Sequence, residues 1–222
     1  MESYLNKIIE QQSNSTTIVS AMQAENLKLL SKRNFHSHDH NEHISAASNE
    51  KQNMIDPHIW LSADNSMAIS KHITAVLIHY DPENTGQYNK NLETLLSKIK
   101  QMKVFIKTSL KSHNEPFIAY HDAFQYFEDE NKLNYIGSIN LNDETGASLK
   151  HLHQIKRLIE QHNIQCLVYQ APKPAIIDTL ISQNSVKAVA LDPLGVNVHD
   201  DKNAWFEIMR QLTLNFNHCL SS

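Results

Sequence analysis

Three residues far apart in the chain, His58, His121 and Asp192, have the donor types and the neighbours of a metal site. Imidazole and carboxylate together suit Zn2+, at about 2.0–2.2 Å from each donor atom. Each of the three stands beside a residue that fixes the backbone, Pro57, Asp122 and Pro193, and each adjoins an expected turn or strand end. Asp122 is also a candidate to orient a ligating ring from behind, since a metal-bound imidazole usually donates its other N–H to a carboxylate or carbonyl. The ordinary alternative is that several of 14 histidines fall at loop starts by chance and that Asp-Pro is a common turn.

A second signal is density. His36, His38, Asp39, His40, Glu42 and His43 put four imidazoles and two carboxylates into eight residues, within a polar stretch from 35 to 53 that has neither the 2 nor the 3.6 period. Such a tract can bind Zn2+, Cu2+ or Ni2+ in several geometries, each weakened by the entropy of ordering a loop; the alternative is a solvated linker. Cys166 and Cys219 match no CxxC or zinc-ribbon spacing. They are either two small buried residues or, in an oxidising compartment, a bridge whose loop closure is worth at most about 4 kcal/mol. Catalytic signatures are thin, with no HExxH and no GxSxG elbow, although a three-ligand zinc could still activate water with Glu128 or Glu130 as base.

These residues need elements to position them. Ser62 is placed as the N-cap of a helix running to about His79, with apolar residues at helical spacing. Asp81 and Pro82 then open a second helix, continuing to about Leu110, whose length of about 40 Å lets it act as a strut. Beyond Ser112 short apolar runs at Phe117–Tyr120, Tyr135–Ile139, Cys166–Tyr169 and Val186–Leu191 alternate with helical patterns at Ala123–Asn131, Ser148–His162, Pro174–Gln183 and Ala204–Leu220. That alternation predicts βα units and a parallel sheet with helices on both faces. Ligands meet the carboxyl ends of such strands, which picks out His121 and Asp192. Ahead of residue 35 the signals are weak: a helix around Tyr4 to Glu10, a β-branched run at Thr16 to Val19 and a helical patch at Ala24 to Leu30.

Composition narrows the function. Twenty Lys and Arg against 24 Asp and Glu give a net charge of −4, so no basic field exists to hold a phosphate backbone, and nucleic acid is not an expected partner. No stretch approaches the ~18–20 apolar residues of a membrane-spanning helix. The four glycines, Gly86, Gly137, Gly146 and Gly195, cannot form GxGxxG or GxxxxGK, so no nucleotide cradle of either kind is present. Met1-Glu2-Ser3 begin the chain without the features of an export signal, so the reading is either a cytoplasmic protein or a piece of something longer.

Four stretches, taken in order, resemble the zinc-type solute-binding proteins of ABC transporters, the ZnuA-like family. They are Asp56-Pro57-His58-Ile59-Trp60-Leu61-Ser62, Asp81-Pro82-Glu83-Asn84, His121-Asp122-Ala123-Phe124-Gln125-Tyr126-Phe127 and Leu191-Asp192-Pro193-Leu194-Gly195. The resemblance implies a two-lobe α/β architecture with metal held between the lobes. Residues 1–80 match what is left of an N-terminal lobe that is largely missing, 81–112 match the linking helix, and 113–222 match the C-terminal α/β lobe. It implies His58 and His121 as imidazole ligands of Zn2+, Asp192 as a less certain one, and His36, His38, His40 and His43 as the family's histidine-rich loop. It also implies a Cys166–Cys219 disulfide, a periplasmic location, a monomer rather than an enzyme, and an ABC permease as partner. The alternatives are a zinc-dependent hydrolase, or a shortened remnant that acts at most as a zinc buffer.

Overall fold

The computed structural model describes residues 8–11, 16–33, 55–140, 148–182 and 185–221. Among the described residues the architecture is carried by α1 Ala63–Tyr80, α2 Thr85–Leu110, β1 Phe117–His121, α3 Gln125–Asn131, β2 Tyr135–Asn140, α4 Leu149–Gln161, β3 Cys166–Gln170, α5 Ala175–Ile181, β4 Lys187–Leu191 and α6 Ala204–Leu220. The expected alternation of strands and helices is what forms. All pairings are parallel, in the order β2-β1-β3-β4. The chain therefore leaves β1 to one side and returns for β3 on the other, which makes the carboxyl edge between β1 and β3 the topological switch point where α/β sheets bind ligands.

Strand side chains alternate between two cores, as the period of two requires. Phe117 and Ala119 of β1, with Cys166 and Val168 of β3, face a cluster built with Ile106 and Leu110 of α2, Tyr126 and Phe127 of α3, and Met209, Leu212 and Phe216 of α6. Ile118 and Leu167 face the other way, onto Ile155 and Ile159 of α4 and Ile177 and Leu180 of α5. Helices thus cover both faces, as predicted, and the strands read as apolar runs because neither face meets water.

Local chemistry starts the helices where the sequence suggests. Ser62 caps α1, its hydroxyl accepting from the Asn65 amide at 3.1 Å, and Ser148 caps α4 by accepting from the His151 amide at 3.2 Å. Pro82–Asn84 form a 3-10 turn before α2, so the long helix starts slightly later than the Asp-Pro pair implies. Its 26 residues extend about 39 Å at ~1.5 Å each.

The helix expected at Ala24 to Leu30 does not form. Asn26 takes φ of 63°, and side chains elsewhere satisfy the backbone instead. The Lys28 amide donates to Asn65 Oδ1 at 2.9 Å, the Asn65 Nδ2 donates to the Lys28 carbonyl at 3.0 Å, and the Leu30 amide donates to the Tyr126 hydroxyl at 3.0 Å. Local propensity loses to these tertiary bonds. At the chain start, the helix expected over Tyr4 to Glu10 is described only at 8–11. A short antiparallel bridge, Ser31 to Ile55, and the Asp56 amide donating to the Leu30 carbonyl at 2.9 Å draw together the two ends flanking residues 34–54.

Candidate metal centre

His121 is the last residue of β1, at the carboxyl edge beside the switch point. His58 reaches the same place from outside the sheet, in the turn that precedes the 3-10 segment Ile59–Leu61. The two rings lie 5.9 Å apart between centroids and are inclined at 69°. Two imidazoles sharing a tetrahedral ion, with nitrogen about 2.1 Å from the metal and about 1.2 Å from its ring centre, would have centroids about 5.4 Å apart. The pair therefore stands within about half an ångström of that separation.

Asp56 sets the orientation of His58. Its Oδ1 accepts from the His58 backbone amide at 2.9 Å and lies 2.6 Å from the ring Nδ1. With a proton on Nδ1 directed at the carboxylate, Nε2 is the nitrogen with a lone pair for a metal. Asp56 is itself buried, at 3% exposure, and its carbonyl accepts from the Tyr126 hydroxyl at 3.0 Å. The sequence offered a signal for this role, an Asp two residues before a His with Pro between them, which is the spacing of an Asx turn.

Asp122, beside His121, is tied to a cation as well. Its carboxylate pairs with Arg33, Nη1 to Oδ1 at 3.0 Å, and the same Nη1 lies 2.6 Å from Glu128 Oε2. The guanidinium also sits 4.0 Å above the Tyr135 ring. Burial works against the charge on Arg33, but Glu128 and Asp122 outweigh it and raise its pKa. Burial pushes the Asp122 carboxyl up from the usual range, with Arg33 opposing, and pushes Glu128 up to about 8 against the same opposing charge. An ion pair with such a cation relieves much of the penalty of burying these carboxyl groups. Nothing in the sequence signals Arg33, which stands 89 residues from Asp122.

Asp192 follows β4 and turns its Oδ2 toward the Asn197 amide, which donates at 3.0 Å. The turn it heads is tied to the His58 segment, since Trp60 Nε1 donates to the Pro193 carbonyl at 3.0 Å and Trp205 Nε1 donates to the Trp60 carbonyl at 2.9 Å. Among the described residues no three His, Cys, Asp or Glu side chains form a group able to hold a metal ion. The geometry thus brings His58 and His121 together and leaves Asp192 after β4, two strands along the sheet from β1 and engaged in its own loop.

The base candidates have other partners. Glu130 accepts from the Ala63 amide at 2.7 Å and pairs with Lys103 at 3.1 Å, so it anchors the start of α1. Glu128 is buried against Arg33. His36, His38, His40 and His43 lie outside the described residues. Cys166 and Cys219 form the disulfide, with Cα atoms 5.3 Å apart; it pins the end of α6 to the start of β3, at the opposite edge of the sheet from the histidines.

The family of the zinc-uptake complex component A, periplasmic, ZnuA, matches residues 1–219. The chain belongs to this family. It is 30% identical over 169 residues to the high-affinity zinc uptake system protein ZnuA of Brucella suis, covering 75% of this chain and 50% of that protein. Against the ZnuA of Yersinia pestis the identity is 27% over 232 residues, with 99% of this chain and 73% of the relative covered. The chain spans about half the length of the Brucella relatives it matches. A crystal structure of ZnuA superposes with a TM-score of 0.76 at 20% identity, covering 98% of this chain and 75% of that one. The Streptococcus pneumoniae AdcAII protein gives 0.74 at 19%, over 99% and 76%. These likenesses establish the α/β fold of the family. No helix among the described residues is long and apolar enough to cross a membrane.

Proposed function

We propose that the chain serves as the zinc-binding, solute-binding component of an ABC-type zinc uptake system, taking up Zn2+ as cargo in the periplasm and delivering it to a membrane permease. The observation that carries this reading is the His58–His121 pair, 5.9 Å apart at the carboxyl edge of the sheet, with the His58 ring already fixed by Asp56. Two neutral imidazoles suit a borderline cation, and two donors leave coordination positions for further ligands. Asp192 is assigned as an auxiliary ligand, one oxygen held by the Asn197 amide and the other available to an arriving ion. In this reading residues 81–112 link the lobe at 113–222 to the partial lobe at 1–80, and the protein acts as a monomer without enzymatic turnover. The commitments of Glu128 to Arg33 and of Glu130 to Ala63 and Lys103 speak against a hydrolase built on the same ligands.

Competition with a chromophoric zinc chelator tests the reading. His58→Ala and His121→Ala should each remove the tight component, and Asp192→Asn should weaken it less. If zinc binding survives both histidine substitutions and disappears only when residues 35–53 are deleted, the assigned centre is wrong.

A further inference from the structure

We propose that Arg33 determines metal specificity: by holding the Asp122 carboxylate in an ion pair, it keeps an anionic oxygen donor away from the ion between His58 and His121. The centre then favours Zn2+ over oxygen-preferring cations such as Mn2+. This inference rests on the imidazole site proposed above.

The argument starts from what Asp122 would otherwise do. It directly follows His121 and lies close enough to both His121 and Asp56 to interact electrostatically with each. A half-buried carboxylate in that position needs a cation, and a dication between the two rings would be one. Arg33 fills the need first. A single Nη1 contacts Asp122 Oδ1 at 3.0 Å and Glu128 Oε2 at 2.6 Å, while the Tyr135 face 4.0 Å below restrains the guanidinium. Asp56, the remaining carboxylate beside the rings, is committed to His58. Both carboxylates near the imidazoles are therefore engaged one step behind the metal position.

The chemical consequence follows from donor preference. Imidazole nitrogen suits Zn2+, whereas carboxylate, carbonyl and water suit Mn2+, and for any given donor set affinity is lower for Mn2+ than for Zn2+. Releasing Asp122 adds the donor type that narrows this gap. A purely structural role for Arg33, as a fastening of residues 28–33 onto the lobe, would weaken both metals in proportion and leave their ratio alone.

The test measures Zn2+ dissociation constants by chelator competition and Mn2+ constants from the free-ion paramagnetic resonance signal. The proteins are the wild type, Arg33→Gln, Arg33→Lys and the double variant Arg33→Gln/Asp122→Asn. Arg33→Gln should shift the ratio of the two constants toward Mn2+ by about tenfold or more, and adding Asp122→Asn should abolish the shift. Arg33→Lys keeps the charge but loses the planar guanidinium that lies on the Tyr135 ring and is restrained by it, so it should give a smaller shift in the same direction. It serves as the reporter if Arg33→Gln does not fold. An unchanged ratio in these variants, or a shift that persists without the Asp122 carboxylate, overturns the inference. His58→Ala and His121→Ala run alongside: if they abolish zinc binding while the ratio stays fixed, the inference alone fails. If zinc binding ignores both histidines, the centre itself fails and the inference with it.

Discussion

Asp56 offers a sharper test of the centre than either ligand, because substituting it leaves both metal donors in place. Freed from its carboxylate, the His58 ring can sample about three χ1 wells and two χ2 orientations. Fixing one of six states again on binding costs about RT ln 6, roughly 1 kcal/mol. Zinc binding also makes the Nδ1 proton more acidic, so the contact at 2.6 Å to Asp56 strengthens in the bound state, and losing it adds about 1–2 kcal/mol. Asp56→Ala should therefore weaken zinc binding by about 30- to 160-fold, at the upper end of what such supporting groups contribute. Asp56→Asn retains an acceptor without the charge and should cost about tenfold. The order of affinities should be wild type, Asp56→Asn, Asp56→Ala and last His58→Ala.

Chelator competition reads these differences directly, provided each variant is first shown to be folded by its thermal transition. That control matters because Asp56 Oδ1 also accepts from the His58 amide, and leaving that amide unpaired costs about 1–3 kcal/mol of stability. The reasoning is refuted if Asp56→Ala is folded and binds zinc within twofold of wild type while His58→Ala does not bind.

Three further outcomes follow from the structure. Reducing the Cys166–Cys219 bridge, which closes a separation of 53 residues, should destabilise the protein by up to about 4 kcal/mol in a denaturant titration and leave the zinc constant unchanged, the bridge being at the far edge of the sheet. Glu128 is held at about 8 against an ordinary value of 4.5, so the folded state binds a proton that the unfolded state has released between those values. Wild-type stability should fall relative to Glu128→Gln as pH rises through that window, by at most about 5 kcal/mol, and parallel denaturation curves at pH 5 and pH 8 check the sign. Gly195 has φ of 71°, and a Cβ there would lie 2.6 Å from Ile208 Cδ1. Gly195→Ala should lower stability by about 1–2 kcal/mol and loosen the turn that carries Asp192, a shift measurable in thermal melts.

The parts of the fold that depend on repeating patterns were legible. Apolar runs bounded by turn residues mark all four strands because both faces of the sheet are covered, and Ser62 and Ser148 mark helix starts because a hydroxyl must satisfy an exposed amide. The meeting of His58 and His121 was legible for a different reason: a strand end and a Pro-fixed turn both bring residues to the carboxyl edge of an α/β sheet. Arg33 was not, because an ion pair between residues 33 and 122 depends on how a chain segment without regular structure crosses the lobe. The error at Ala24 to Leu30 has the same origin. Helical spacing there is real, but Asn65 and Tyr126 reach the backbone from elements whose position no local pattern specifies. The cation on Asp122 was not legible either, because adjacency to His121 says nothing about a guanidinium arriving from another part of the chain.

The charges around the rings bear on release as well as capture. Asp56 and Asp122 stand near the imidazoles, and Arg33 bridges Asp122 to the buried Glu128 behind it. The carboxyl groups outnumber the one guanidinium, which offsets only part of their negative field. A dication is then drawn in by the field of groups it does not touch, which aids its approach. In the proposed centre the two imidazoles are the main donors and Asp192 an auxiliary one, so the departure of an ion leaves Asp122 still paired with Arg33. Bringing Asp122 into contact with the ion would deepen the well and slow that departure, whereas a delivery protein needs an ion it can give up. On this argument Arg33→Gln should lengthen the residence time of bound metal, which stopped-flow chelator capture measures. Faster release from a folded Arg33→Gln variant would show that the guanidinium assists retention instead.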